Sequence, residues 1–202
     1  MSINFRTHLT PSIPKELFEL ISIYLEKKCN IKVNLSHDVI SSGPPKGTTL
    51  NCDLSVMCSP PFYWLYEKYH NDIELIPMAP VFNDKRNMNK PLYFSDIYVN
   101  KNNNTIKSIK DLNNHIWAFN DKESLSGYYC IKNTPISKKI KMICSGDHLK
   151  SIKMVENNLA DITCIDSNLL LFSKNNLKKI GTFGPHPIQP FVISKKCKFK
   201  KE

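Results

Sequence analysis

Residues 116–128 read IWAFNDKESLSGY, and this stretch decides the fold. The apolar run at 116–119 predicts a short buried strand, and residues 120–124 lead from it into a helix. A strand that runs directly into a helix is half of a βαβ unit, from which parallel sheets are built. The helix start carries two serines and a glycine, Ser124, Ser126 and Gly127.

The same alternation of strand and helix patterns continues on both sides of this stretch. Helical spacing of apolar residues predicts helices at 17–25, at 62–69 and after residue 147. Two strand–helix cycles, joined by a long strand near residue 95 and another near 191, predict an α/β protein with two lobes and mainly parallel sheets. The predicted strands lie at 3–9, 31–35, 54–58, 73–78, 91–99, 116–119, 141–144, 160–166 and 191–194.

Composition indicates a globular chain of 202 residues, with 41% hydrophobic and 23% charged residues and a net charge of +10. The positive charge accompanies a general richness in Lys and Asn, and its densest run, 195–201, is terminal and predicts a solvated tail. No recognisable nucleic-acid-binding module and no basic stripe interleaved with aromatic residues is present, so nucleic acid is not expected as a partner.

Seven cysteines are scattered without a CxxC pair, which predicts free thiols rather than a disulfide framework or a zinc site. We expect neither a metal nor another cofactor. No apolar run reaches membrane-spanning length and no signal-peptide core is present at the N-terminus. The sequence as written therefore predicts a cytoplasmic protein without membrane insertion, or a periplasmic or extracellular one if a leader has been removed.

Ligands of parallel α/β sheets bind beyond the carboxyl ends of the strands, where helix N-termini offer free N–H groups to an anion. The junction at 120–128 has hydroxyl groups suited to a phosphate-like group, although a plain helix cap would use the same residues. At 144–148, His148 is a candidate donor; the alternative is that Ser145 or Asp147 caps the helix and His148 is a surface residue.

Two further features can be explained either by a binding site or by an ordinary structural role. The aromatic residues after the predicted strand at 54–58 can wall a pocket or fill the core. Asp166, at the end of a buried strand, can accept from a ligand amine or cap the next turn.

Catalytic signatures are missing from the sequence: it has no GxSxG elbow, no HExxH and no phosphate-binding Gly-rich loop. None of the six histidines pairs with a Ser or Cys in a recognisable signature. An enzyme is therefore not expected. If the chain were one, His148 with Cys144 or Cys164 would be the candidate set.

At these junctions the sequence resembles the phosphonate-type substrate-binding proteins of ABC transporters, which have the type 2 periplasmic-binding-protein fold. Three segments, taken in chain order, are similar to Asp-Pro-x-Ser-x-Ser-Gly-Tyr, Gly-Ser-His-x-x-Ser and Ala-Asp-Val-x-x-Ile-Asp-Ser of that family. Two further stretches resemble its opening and its Pro-rich return strand. The corresponding residues here are 121–128, 145–151, 160–167, 9–12 and 184–191.

The resemblance implies a clamp of two lobes, with hinges near 93–100 and 182–192. Lobe 1 would contain residues 1–92 and 183–202, and lobe 2 residues 93–182. The ligand would be a small anion: a phosphonate, phosphate or phosphorylated metabolite. An ABC-transporter permease is the implied partner, and an enzyme on the same fold, acting on a small metabolite or cofactor precursor, is the alternative.

The resemblance also implies the site residues. Ser124, Ser126 and the Gly127 N–H would contact the anionic head, within a segment that also contains Leu125 and Tyr128. Leu125 stands where the family often has Thr, which removes one hydroxyl group. The site would be completed by Tyr63, Ser95, His148 and Asp166.

Overall fold

The computed structural model describes residues 2–10, 13–37, 42–171 and 175–198. Pro11 and Ser12, part of the family-like opening, lie outside the described residues. The strands are β1 (Ser2–Thr7), β2 (Lys32–His37), β3 (Leu54–Val56), β4 (Ile73–Leu75), β5 (Leu92–Asn100), β6 (Ile116–Phe119), β7 (Lys141–Cys144), β8 (Ile162–Asp166), β9 (Leu177–Pro187) and β10 (Phe191–Ser194). The α-helices are α1 (Lys15–Cys29), α2 (Ser59–Tyr69), α3 (Cys130–Lys132) and α4 (His148–Glu156).

The chain forms two compact units. Unit 1 comprises Met1–Ala79 and Gln189–Glu202, and unit 2 comprises Pro80–Ile188. The two-lobed α/β organisation predicted from the sequence is confirmed.

Unit 1 contains a five-stranded sheet in the order β2-β1-β3-β10-β4. Strand β1 pairs in parallel with β2 and β3, whereas β10 is antiparallel to both β3 and β4. Helix α1 ends where Asn30 adopts a left-handed conformation, with Lys27 and Lys28 in the last turn, where cations favour the helix dipole. Met57, Leu65, Ile73 and Val192 form one core cluster of this unit.

Unit 2 contains the second five-stranded sheet, in the order β7-β6-β8-β5-β9. Strand β6 is parallel to β7 and β8, and β5 is antiparallel to β8 and β9. The expectation of mainly parallel sheets is therefore wrong: both sheets are mixed. The reason is that β10 joins the unit 1 sheet only after the whole of unit 2, and β5 is separated from β8 by two other strands, so neither strand is linked to its neighbours by the single βαβ crossover that makes strands parallel. The core cluster of unit 2 is Ile97, Val99, Ile106, Leu112, Trp117, Phe119, Ile131, Ile162 and Cys164.

Strand β9, eleven residues long, was not predicted from the residue pattern; only its last four residues fall within 184–191, the stretch that resembles the family's return strand. It lies at the edge of its sheet and carries Lys178, Lys179, Gly181 and Gly184, so it shows no apolar alternation. Because β5 and β9 pair along nearly their whole lengths, both belong to unit 2. The unit boundaries at 79/80 and 188/189 consequently differ from the predicted 92/93 and 182/183.

A charged network fastens the turn before β5 to the sheet of unit 2. The Arg86 guanidinium donates to both carboxylate oxygens of Asp96, at 2.8 and 2.9 Å, and also pairs with Asp84. The Thr182 hydroxyl donates to Asp96 Oδ1 at 2.7 Å, and the Arg86 guanidinium lies over the Phe94 ring. The Asp96 carboxylate is thus buried but fully engaged, as a buried charge requires.

Candidate functional site

The carboxyl ends of three strands meet at one edge of the unit 2 sheet. Strand β6 ends at Phe119, β7 at Cys144 and β8 at Asp166, and β6 is parallel to both neighbours. The loops that follow these strands therefore emerge on the same side. This is the edge at which ligands bind in α/β sheets.

The loop after β6 leads into a π-helical turn over Leu125–Tyr129, which continues as α3. Ser124 caps the turn: its Oγ accepts from the Gly127 N–H at 3.1 Å. The indole N–H of Trp117 donates to the Gly127 carbonyl at 3.1 Å. A side chain at Gly127 would collide with Asn120 Oδ1, so any larger residue requires the Asn120 side chain to move. Hydrogen bonds at both the N–H and the carbonyl of Gly127 therefore hold the turn in place.

The loop after β7 ends at Asp147, which caps α4 by accepting from the Lys150 N–H at 2.7 Å. The helix-cap interpretation thus holds for Asp147. His148, the first residue of α4, is only 4% exposed, which excludes the alternative that it is a surface residue. The Ser145 hydroxyl donates to the Phe119 carbonyl at 3.0 Å and so joins this loop to the end of β6.

The two loops meet through side chains. Ser126 Oγ lies 3.2 Å from His148 Nε2 and 3.5 Å from Ser124 Oγ, and both serines are almost fully buried. Complete burial lowers the pKa of His148 to about 4, against an opposing effect of the Asp147 charge. The imidazole is therefore neutral at neutral pH. Its Nδ1 has no hydrogen-bond partner within the described part of the chain, although it is buried.

The third junction brings β5 into the site. Ser95 is paired directly with Asp166 across the β5–β8 ladder, which places both side chains on the same face. Asp166 Oδ1 accepts from the Asn168 N–H at 2.8 Å, so this carboxylate also caps a turn. Ser95 and Asp166 are both buried.

A thiol and an imidazole lie beside Ser95. Cys130 Sγ is 3.4 Å from Ser95 Oγ and 3.5 Å from His186 Nε2. Burial raises the pKa of the Cys130 thiol, and burial lowers the pKa of His186. Both shifts favour the neutral pair, which is the opposite of what an activated cysteine nucleophile needs.

The structure unites part of the predicted site. Ser124, Ser126 and His148 are in contact, and Ser95 and Asp166 are strand neighbours. Eight of the nine predicted residues lie in unit 2, whereas Tyr63 lies on α2 of unit 1 and is 59% exposed. The Tyr128 ring packs on Phe119 at 4.9 Å, against the core cluster of unit 2, and Leu125 is half-buried.

Sequence reasoning missed three residues of this region: Cys130, His186 and Asn168. Cys130 and His186 meet only because β9 pairs with β5, and β9 was not predicted. Asn168 is fully buried, and neither polar atom of its side chain has a partner among the described residues. The feature of the sequence that could have pointed to Asn168 was its position two residues after Asp166.

The described residues contain no cluster of three or more His, Cys, Asp or Glu side chains able to hold a metal ion. All seven cysteines are free thiols. Of the helices in the described ranges, none combines the length and the apolar character needed to cross a membrane.

Solved structures share this fold over nearly the whole chain. A binding-protein component of an ABC phosphonate transporter from Pseudomonas aeruginosa has a TM-score of 0.71 at 16% identity, covering 97% of this chain and 69% of that one. PhnD1 from Prochlorococcus marinus, in complex with methylphosphonate, has a TM-score of 0.72 at 18% identity, covering 96% and 77%. An ancestral arginine-binding protein bound to arginine has a TM-score of 0.64 at 14% identity, covering 96% and 85%.

These likenesses show the periplasmic-binding-protein fold, which the sequence predicted. They do not select a ligand, since methylphosphonate and arginine occur on the same fold. No curated protein sequence matches the chain. A family model described as ABC transporter, phosphonate, periplasmic substrate-binding protein matches residues 59–200, well over half of the 202 residues. The chain therefore belongs to the family of periplasmic substrate-binding proteins of phosphonate ABC transporters.

Proposed function

We propose that the chain binds a small oxyanion, a phosphonate, phosphate or phosphorylated metabolite, at the carboxyl edge of the unit 2 sheet, and that it is not an enzyme. The observation that carries this proposal is the contact of Ser126 with His148 beside Ser124. The two buried hydroxyl groups and the buried imidazole contact one another, but these contacts do not use all of their hydrogen-bonding atoms, since one imidazole nitrogen has no partner among the described residues.

Each residue has a proposed role. The Ser126 hydroxyl and the His148 imidazole bind anion oxygens directly, and Ser124 both caps the turn and offers its hydroxyl group. The Gly127 N–H already donates to Ser124 Oγ. It therefore acts on the anion through the Ser124 hydroxyl group, or directly if the ligand displaces that hydroxyl group. Ser95 and Asp166 contact the organic part of the ligand, where Asp166 is suited to an amine or hydroxyl donor.

Tyr63 is the proposed contribution of unit 1. Its hydrogen bond with Glu67 raises the pKa of its phenol, which stays a protonated donor at neutral pH. We expect ligand to bring the units together, with a measurable fall in the radius of gyration by small-angle scattering. An unchanged radius at saturating ligand would contradict closure.

The proposed partner is the permease of an ABC transporter, because the family description names a transporter component. The same description places family members in the periplasm. Fractionation of cells that express the full gene tests whether this protein is found there.

Thermal melting against phosphate, sulfate, methylphosphonate and phosphorylated metabolites tests the function. A ligand at about 100 times its Kd adds about 2.7 kcal/mol to the stability of the folded state, or roughly 5–11 °C for a chain of this size. Ser126→Ala should weaken binding by about tenfold or more, as expected for a lost hydrogen bond to a charged group. The matched control is Ser137→Ala, whose hydroxyl donates to the Thr134 carbonyl in the same unit. Equal shifts in both variants would refute the site.

A further inference from the structure

Three side chains of unit 2 form a chain of contacts beside the proposed anion site: Ser95 on β5, Cys130 after the π-helical turn and His186 on β9. The Cys130 thiol donates to Ser95 Oγ at 3.4 Å, and His186 Nε2 lies 3.5 Å from Cys130 Sγ. Ser95 is completely buried, whereas Cys130 and His186 are partly exposed. The cluster is therefore reached from outside past its thiol and its imidazole.

The pairing of β5 with β9 brings these groups to one face. Tyr93 and Ser95 are two residues apart on β5 and project to the same side of the sheet. His186 is the ladder partner of Tyr93, and the pairing is irregular between Tyr93 and Ser95. Irregularities of this kind re-aim side chains. The rings of Tyr93 and His186 lie 5.1 Å apart, and this contact keeps the imidazole beside Cys130.

The hydrogen atoms along this chain run in one direction. Burial raises the pKa of the Cys130 thiol and lowers the pKa of His186, so the thiol keeps its hydrogen and the imidazole is neutral at neutral pH. Because the one thiol hydrogen goes to Ser95 Oγ, the contact with His186 requires an imidazole N–H that donates to Cys130 Sγ.

The Ser95 hydroxyl hydrogen is left at the end of the chain. Within the ranges that the structure describes, Ser95 has no acceptor for it. A buried donor without an acceptor is unfavourable. An oxygen atom of a bound ligand would satisfy this donor.

One turn connects this cluster to the serines of the anion site. Ser124 caps the turn at its start, and the Cys130 N–H donates to the Leu125 carbonyl at its end. The turn packs against β5 and β8. At a helical rise of 1.5 Å per residue, Ser124 and Cys130 are separated by about 9 Å along the axis. Both ends of the turn are therefore within reach of a single small ligand.

We propose that the Ser95 hydroxyl group donates to an oxygen atom on the organic part of the ligand, and that Cys130 and His186 are positioning residues that orient it. This inference rests on the proposed function and narrows its ligand class to phosphonates and phosphorylated metabolites with an oxygen acceptor close to the phosphorus. A purely alkyl substituent would exclude water and leave the Ser95 hydrogen without an acceptor, so the site disfavours it.

Calorimetric titration with two ligands of nearly the same shape tests the inference. Methoxymethylphosphonate differs from n-propylphosphonate only in that an ether oxygen replaces one CH2 group, and this oxygen accepts hydrogen bonds but cannot donate them. The wild type should bind methoxymethylphosphonate about fivefold more tightly, as expected for one additional hydrogen bond.

Variants of the cluster show which residues produce the preference. Ser95→Ala should remove it, and Cys130→Ala and His186→Phe should reduce it. Cys130→Ser, which keeps a donor in place of the thiol, should retain it. Both ligands carry the same anionic head, so a variant that only distorts the site weakens both and leaves their affinity ratio unchanged. The control Cys29→Ala removes a partly buried thiol of unit 1 and should keep the wild-type ratio.

The two proposals fail in different ways. The inference is overturned if the wild type binds n-propylphosphonate as tightly as methoxymethylphosphonate, or binds neither although it binds methylphosphonate. A preference of wild-type size in Ser95→Ala or Cys130→Ala also overturns it. In each of these cases, binding of methylphosphonate leaves the anion site in place. If phosphate and all three phosphonates fail to bind, the proposed function is refuted, and the inference with it.

Discussion

Acid should destabilise this protein through one buried side chain, His148. The ordinary pKa of about 6.5 for a histidine is that of the unfolded chain, while burial lowers the pKa of His148 in the folded protein to about 4. Between these two values the unfolded state binds a proton that the folded state does not. Stability is therefore fully present above pH 6.5 and falls as the pH drops towards 4.

The size of the loss follows from the two pKa values. At pH 5 the imidazole is almost fully protonated in the unfolded chain and about one-tenth protonated in the folded protein, which costs about 2 kcal/mol. Below pH 4 the loss approaches about 3 kcal/mol. Replacement by glutamine, which does not titrate, removes this loss.

Urea denaturation of the wild type and of His148→Gln at pH 8 and pH 5 measures the effect. The drop in the free energy of unfolding between these pH values should be about 2 kcal/mol larger in the wild type. His70→Gln, at an exposed position of unit 1, should keep the full wild-type drop. If wild type and His148→Gln lose equal stability, the imidazole is not buried in its neutral form, and the role of His148 as a neutral hydrogen-bonding group of the proposed site fails with it.

Three further substitutions test the elements that hold the site. Arg86→Met leaves the buried Asp96 carboxylate without its main cation and should cost about 3 kcal/mol in urea denaturation; a cost under about 1 kcal/mol would contradict a charged network there. Ser124→Ala removes the cap of the π-helical turn and should lower Tm by roughly 2–4 °C as well as weaken anion binding. An unchanged Tm would show that the Gly127 N–H finds another acceptor. Trp117→Phe loses the indole bond to the Gly127 carbonyl and should cost about 1–2 kcal/mol, with weaker binding in the same calorimetric assay; unchanged affinity would mean that the turn does not need this anchor.

The part of the site that the sequence predicted is the part that topology alone determines. Ser124 and His148 follow strands β6 and β7, Asp166 is the last residue of β8, and parallel pairing places the carboxyl ends of these three strands together. The short strands β6, β7 and β10 were located at the bounds that the structure gives because each is a short, mainly apolar run with turn signals on either side, although β7 is only partly buried. The lobed α/β fold followed from the same alternation of strands and helices.

What the sequence did not predict depends on long-range pairing. The contact between Cys130 and His186 needs the register of β9 on β5, which includes two irregularities and has no local pattern. The burial of His148 was not decided by the residue pattern, which left a site donor and a surface residue as alternatives, because a histidine after a capping aspartate can be either. The π-helical turn also escaped prediction, since its wider winding has no periodicity of its own over five residues.

The position of β10 has a consequence for synthesis of the chain. Unit 2 is one continuous segment, Pro80–Ile188, and can fold as soon as it leaves the ribosome. Unit 1 cannot, because β10 lies between β3 and β4 in its sheet and is translated more than a hundred residues after them. Until β10 arrives, β4 lacks its partner in the sheet and the β3 edge is open. The first unit to be translated is therefore the last to be completed, and the nascent protein should depend most on chaperones during that interval.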